Sequence, residues 1–84
     1  MIKQLKSTGF VVKEYLIANW LTVDDLSQAS SVGVPALHRF LEDEVKLSTE
    51  IALGINKLLK GLTAEFLINY DSKYQKQKDK LLQS

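Results

Sequence analysis

The chain has 84 residues, 45% of them hydrophobic, which is enough for one small domain with a single core and excludes two independently folded units. It contains no cysteine, so disulfide staples, thiolate nucleophiles and cysteine-ligated metals are excluded and the composition fits a reducing cytoplasm. Its net charge is +1, no apolar run approaches the ~18 residues of a membrane-spanning helix, and Lys13 and Glu14 interrupt the apolar N-terminal stretch where a signal peptide would be continuous, so a cytoplasmic protein with no membrane partner is expected.

Helical periodicity begins at Gly9. In "FVVKEYLIAN", Val12, Leu16 and Ile17, with Tyr15 beside them, recur at helical steps and predict an amphipathic first helix. Thr22 stands before "VDDLSQA", where its hydroxyl can accept a hydrogen bond from a free backbone N–H while Asp24 and Asp25 complement the helix dipole; this is the start of a second helix, with Leu26 and Ala29 facing inward. Ser30 and Ser31 weaken that helix. Gly33 and Pro35 begin a third, "PALHRFLED", because proline is favoured in a first turn, and Leu37, Phe40 and Leu41 form its buried stripe. Ser48, with Glu50 close behind, opens a fourth helix, "TEIALGINKLLK", whose buried face is Ile51, Ile55, Leu58 and Leu59 and which Gly61 ends. Thr63 can cap a fifth helix starting "AEFLINYDSKY", which the polar "QKQKDKLLQS" either extends or leaves to fray. Trp20, Phe40 and Phe66 are expected in the core.

The expected fold is therefore all-α, a compact domain of five short helices. The step from the second to the third helix is too short for a long-armed hairpin, so a helix-turn-helix is the simplest arrangement. The organisation reads as an N-terminal arm over 1–8, the helical domain over 9–74, and a basic tail or helix extension over 75–84.

From Gly9 to about Tyr74 the chain resembles the HigA-type antitoxins, within the lambda-repressor-like (XRE) helix-turn-helix proteins. "GFVVKEYL" resembles the family's opening Gly-x-x-(aliphatic)-Lys-Glu-x-Leu, and "WLTVDDLS" is similar to its Gly-Trp-Thr-Gln-x-Asp-Leu-Ala with the tryptophan displaced by one position. In "VGVPALHRFLEDEVKLSTEIAL", Val32, Pro35, Leu37, Leu41, Leu47, Ser48, Glu50 and Ala52 fall on typical family positions, and "GLTAEFLINYDSKY" resembles the Gly-Thr-Ser-x-Glu-Phe-Trp-Leu-Asn segment with its following tyrosine, once an inserted residue near Lys60 is allowed.

The resemblance implies a lambda-repressor-like fold and a DNA-binding transcriptional regulator: a homodimer that places its third helix in the major groove of an operator duplex, with a cognate toxin as a further partner. It puts Val34, Pro35, Ala36, His38, Arg39 and Lys46 at the DNA contact positions. It also marks departures. Val23 replaces a glutamine that holds phosphate, Gly33 replaces a serine or threonine cap, and Glu42, Asp43 and Glu44 stand where the family has Asn-Gly and a basic residue. The turns that the family makes with glycine fall near Trp20, Ser31 and Asp43.

Charge placement opens a second reading. From Leu21 to Glu50, Arg39 and Lys46 face Asp24, Asp25, Glu42, Asp43, Glu44 and Glu50, a balance of −4, whereas DNA affinity comes largely from cations that displace counterions from phosphate. The compensating lysines lie outside: Lys3, Lys6 and Lys13 before the segment, and Lys57, Lys60, Lys73, Lys76, Lys78 and Lys80 after it. A helix-turn-helix kept as a scaffold for protein contact, through the Glu42-Asp43-Glu44 corner or through Tyr70 and Tyr74 one helical turn apart, is the alternative. His38 is the only histidine and has no clustered ligands, so no metal is expected. The sequence offers no nucleophile–base pair or phosphate-cradling loop, so neither catalysis nor a cofactor is expected.

Overall fold

Helix starts in this chain are set by hydroxyl side chains. The Ser7 Oγ accepts from the Phe10 N–H at 3.1 Å, the Ser48 Oγ from the Ile51 N–H at 3.2 Å, and the Thr63 Oγ1 from the Phe66 N–H at 3.1 Å. Thr22 and Asp25 form a reciprocal box, the Thr22 Oγ1 accepting from the Asp25 N–H at 3.2 Å and the Asp25 Oδ2 from the Thr22 N–H at 2.8 Å. Only the third helix starts without a side-chain cap, at Gly33, with Pro35 in its first turn. The computed structural model, which describes residues 4–83, accordingly contains α1 (Thr8–Ala18), α2 (Val23–Ser30), α3 (Val34–Leu41), α4 (Thr49–Leu58) and α5 (Ala64–Gln83), and no strand among the described residues. The polar tail is thus helical through Gln83, a continuation of α5.

Val12, Leu26, Leu37, Phe40, Ile55 and Leu67 are the largest fully buried side chains, joined by Leu16, Ile51 and Leu62. Around them α2 packs on α4 and α3, α1 on α3 and α5, and α4 on α5. Two glycines permit the closest approaches: a Cβ at Gly54 would collide with Ser30 of α2, and one at Gly9 with the backbone of Phe40 and Leu41 in α3.

Several expectations are corrected. Tyr15 and Ile17 are exposed, Ile17 at 68%, because α1 carries apolar residues all round and only the face of Thr8, Gly9, Val12 and Leu16 meets α3 and α5. Periodicity says little about such a helix. Trp20 is 93% exposed, its backbone turning out of α1 before the side chain can reach the core, and Phe66 lies on the outer side of α5 against Tyr70, ring centroids 6.2 Å apart. α3 ends at Leu41, not at Asp43, and α4 ends at Leu58 with Leu59 as its cap, two residues short of the expected end at Lys60.

The segment before α1 lies along α5. The Leu5 N–H donates to the Gln77 Oε1 at 2.8 Å, the Gln77 Nε2 donates to the Leu5 carbonyl at 3.1 Å, and the Tyr70 hydroxyl donates to the Lys6 carbonyl at 2.8 Å. Beneath them the buried Asp71 accepts from the Thr8 hydroxyl at 2.6 Å and from the Gln75 Nε2 at 3.4 Å. A carboxylate can be buried when hydrogen bonds replace its water. Residues 5–8 are therefore tied down; Lys3 lies outside the described residues.

Candidate functional site

α3 is amphipathic in the sense that a surface reader needs. Leu37 and Phe40 are buried at 0% and 1% exposure and hold the helix against the core, so the residues between and around them must face outward. Pro35, Ala36, His38 and Arg39 are exposed and share that outer arc, while Val34 is half-buried at the start of the helix and Lys46 is exposed beyond its end. The structure thus brings Pro35, Ala36, His38 and Arg39 onto one face, with Lys46 in the loop that follows.

The turn that aims α3 is built from serines. Ser31 has a left-handed backbone at φ 61°, and its N–H donates to the Ser27 carbonyl at 2.9 Å. The Ser27 hydroxyl donates to the Val32 carbonyl at 2.7 Å, and the buried Ser30 hydroxyl donates to the Leu26 carbonyl at 2.7 Å while accepting from the Val32 N–H at 3.2 Å. Three side-chain hydrogen bonds close a turn that glycine would otherwise ease. The sequence marks Ser30 and Ser31 as helix-weakening, and the family resemblance puts a turn near Ser31; the serine bonds that close it are signalled only by the spacing Ser27–Ser30–Val32.

The other end of α3 closes differently. The Asp43 N–H donates to the Phe40 carbonyl at 3.1 Å and the Glu44 N–H to the Arg39 carbonyl at 2.8 Å, the two-bond pattern of a Schellman motif, with Asp43 in the left-handed position at φ 62°. The Asp43 carboxylate then reaches α5: its Oδ2 accepts from the Tyr74 hydroxyl at 2.6 Å and from the Lys78 Nζ at 3.1 Å. The bond to Asp43, partial burial and the adjacent negative charge push the Tyr74 phenol up to about 12. Burial also raises Tyr70, against the opposing effect of its bond to the Lys6 carbonyl.

Comparison with protein-family models, curated proteins and solved structures finds no match for this chain.

The five residues considered for partner contact therefore divide. Asp43, Tyr70 and Tyr74 are engaged within the chain, whereas Glu42 and Glu44 are exposed with no ion pair among the described residues. Tyr70 and Tyr74 sit one turn apart on α5 as their spacing requires, and they fasten two different segments to it. Nothing in the local sequence joins Asp43 to Tyr74 and Lys78, which are 31 and 35 positions away. Among the outlying lysines, Lys6 lies over the Phe10 ring at 4.9 Å and pairs with Glu14 at 3.6 Å, so its charge is partly offset. Among the described residues no helix is long and apolar enough to cross a membrane.

Proposed function

We propose that the chain is a DNA-binding regulator of the helix-turn-helix type, similar in plan to HigA-type antitoxins and the wider lambda-repressor-like group. In this reading α2 and α3 form the motif, and α3 is the helix that enters the major groove of an operator duplex. The observation that carries it is the division of α3 itself: Leu37 and Phe40 are fully buried, and Pro35, Ala36, His38 and Arg39 present one exposed face. The three left-handed turns at Trp20, Ser31 and Asp43, where the family uses glycine, support the same register.

Arg39 is the principal reader, since a guanidinium can donate two bonds to a guanine edge or clamp a phosphate, and His38 adds one donor. Pro35 and Ala36 supply only apolar contact. Lys46 and, on α5, Lys73, Lys76 and Lys80, which make no ion pair among the described residues, supply counterion release at the backbone, which gives affinity without sequence information. A cognate toxin as partner and a cytoplasmic location belong to this proposal through the same resemblance.

The test is a salt titration of binding to duplex DNA from the region upstream of the gene. A retarded complex at low salt that weakens steeply as salt rises, and that loses about 10- to 100-fold in affinity with Arg39→Ala, is the expected result. Absence of any complex at low salt sinks the proposal.

The second reading, a helix-turn-helix scaffold for protein contact, draws on the balance of −4 between Leu21 and Glu50 and on the exposed carboxylates of Glu42 and Glu44. In that case Arg39→Ala leaves partner binding intact, and Glu42→Lys with Glu44→Lys abolishes it.

A further inference from the structure

α3 has 8 residues, no side-chain cap at its start, and His38 and Arg39, the two side chains that can donate to a base, in its last turn. A last turn frays readily, because its carbonyls have no partner further along the helix. Here the loop that follows takes them. The Glu42 N–H donates to the His38 carbonyl at 2.9 Å, the Asp43 N–H to the Phe40 carbonyl at 3.1 Å and the Glu44 N–H to the Arg39 carbonyl at 2.8 Å. His38 and Arg39 are therefore held, through their own main chain, by the loop at 42–44.

Local preference does not hold that loop in place. Asp43 is left-handed at φ 62°, a backbone that any residue with a Cβ adopts at a cost. α5 selects it instead: the Tyr74 hydroxyl donates to the Asp43 Oδ2 at 2.6 Å, and the Lys78 Nζ donates to the same oxygen at 3.1 Å and to the Asp43 carbonyl at 3.4 Å. These bonds are partly shielded from water and one partner is charged, so they hold more firmly than a surface ion pair. A continuous chain of contacts thus runs from α5, through the Asp43 side chain and main chain, to the last turn of α3. The outer face of that turn stays clear, with His38 and Arg39 exposed.

We infer that Tyr74 and Lys78 are positioning residues for DNA readout: by fixing Asp43 they hold the last turn of α3, and so set how sharply Arg39 and His38 discriminate an operator from other duplexes. This rests on the DNA-binding reading of α3. A donor fixed before binding loses less freedom when it meets a base edge, and bidentate contact with a base demands a defined geometry. Attraction to phosphate demands neither, so loosening the clasp removes discrimination and leaves non-specific binding in place.

Tyr74→Phe tests this, since it removes one hydroxyl and no charge. Thr63→Ala, which removes the cap at the far end of α5, is the control for lost stability. Amide hydrogen exchange, followed by NMR without DNA, should quicken about tenfold at Glu42, Asp43 and Glu44 in Tyr74→Phe relative to Thr63→Ala. Affinities are then measured at one salt concentration for duplex DNA from upstream of the gene and for an unrelated duplex of equal length. Tyr74→Phe should lower the ratio of the two about tenfold while shifting the unrelated duplex by less than about twofold, and Thr63→Ala should leave the ratio unchanged. Combined with Arg39→Ala, Tyr74→Phe should cost little more than Arg39→Ala alone, because its effect passes through that side chain. If the parent protein retains no duplex at low salt, the DNA-binding reading falls and this inference falls with it. If the parent discriminates, four results overturn this inference alone: unchanged exchange at Glu42–Glu44, an unchanged ratio in Tyr74→Phe, an equal loss in Thr63→Ala, or losses in Tyr74→Phe and Arg39→Ala that simply add.

Discussion

Trp20 ends α1 and Asp43 ends α3 with the same backbone. In each case a left-handed residue donates its N–H to the carbonyl three positions back, and the next residue donates to the carbonyl five positions back: Trp20 to Ile17 at 3.2 Å and Leu21 to Leu16 at 2.8 Å, Asp43 to Phe40 at 3.1 Å and Glu44 to Arg39 at 2.8 Å. The side chains then part. Asp43 turns inward and fastens the end of α3 to α5 through Tyr74 and Lys78, whereas Trp20 projects into solvent. Strain of about 1 kcal/mol is present at both turns. At Asp43 a side-chain hydrogen-bond network offsets it, and at Trp20 no side-chain hydrogen bond does among the described residues. A strained residue without internal compensation is where a binding role is best sought.

The largest expected effect comes from breaking the compensated turn. Asp43→Ala removes a charge-assisted hydrogen bond and a partly exposed ion pair while keeping the strain, and should lower unfolding stability by about 2 kcal/mol in urea titrations. Asp43→Gly relieves the strain but loses the same bonds, so its destabilisation should be smaller. Equal stability of Asp43→Ala and the parent would show that the clasp contributes nothing.

Next comes pH. Because the folded Tyr74 holds its proton up to about 12 while an unfolded tyrosine releases it near 10, the bond to Asp43 contributes fully below pH 10 and is lost as pH rises through that interval. Tyr74→Phe, which should cost roughly 1.5 kcal/mol at neutral pH, should also flatten that alkaline loss. Unfolding curves of both proteins across the interval, with tyrosinate absorbance to follow ionisation, measure it.

At the uncompensated turn the sign reverses. Trp20→Gly should raise monomer stability by about 0.5–1 kcal/mol, because it relieves a left-handed backbone and removes a side chain with almost no packing. A loss of stability would mean that Trp20 packs in solution. The smallest effect is expected at Ser31→Gly, a gain of up to about 0.5 kcal/mol in thermal unfolding, since Ser31 has the same backbone strain but its neighbours Ser27 and Ser30 already hold the turn.

Helix order was legible because its signals are local. Thr22, Ser48 and Thr63 act as caps where the sequence places them, Pro35 opens α3, and Leu26, Leu37, Phe40, Ile51 and Ile55 are buried as their spacing requires. The positions near Trp20, Ser31 and Asp43 were legible as turns only through the family resemblance, and all three are left-handed. Burial in α1 was not legible, since Tyr15 and Ile17 look as apolar as Val12 and Leu16. The exposure of Trp20 and Phe66 went against hydrophobicity, which is a strong guide to what a core contains and a weak one to what a surface excludes.

Residue order alone determined the helices, the starts capped by Thr22, Ser48 and Thr63, and the burial of Leu37 and Phe40 in α3, because capping and periodicity act over a single turn of chain. Only the tertiary structure decided which side of α1 meets the core, that the segment at Leu5–Thr8 lies on α5, and that Asp43 is held by Tyr74 and Lys78. Those contacts join residues far apart in the chain, and their partners are selected by how the helices pack.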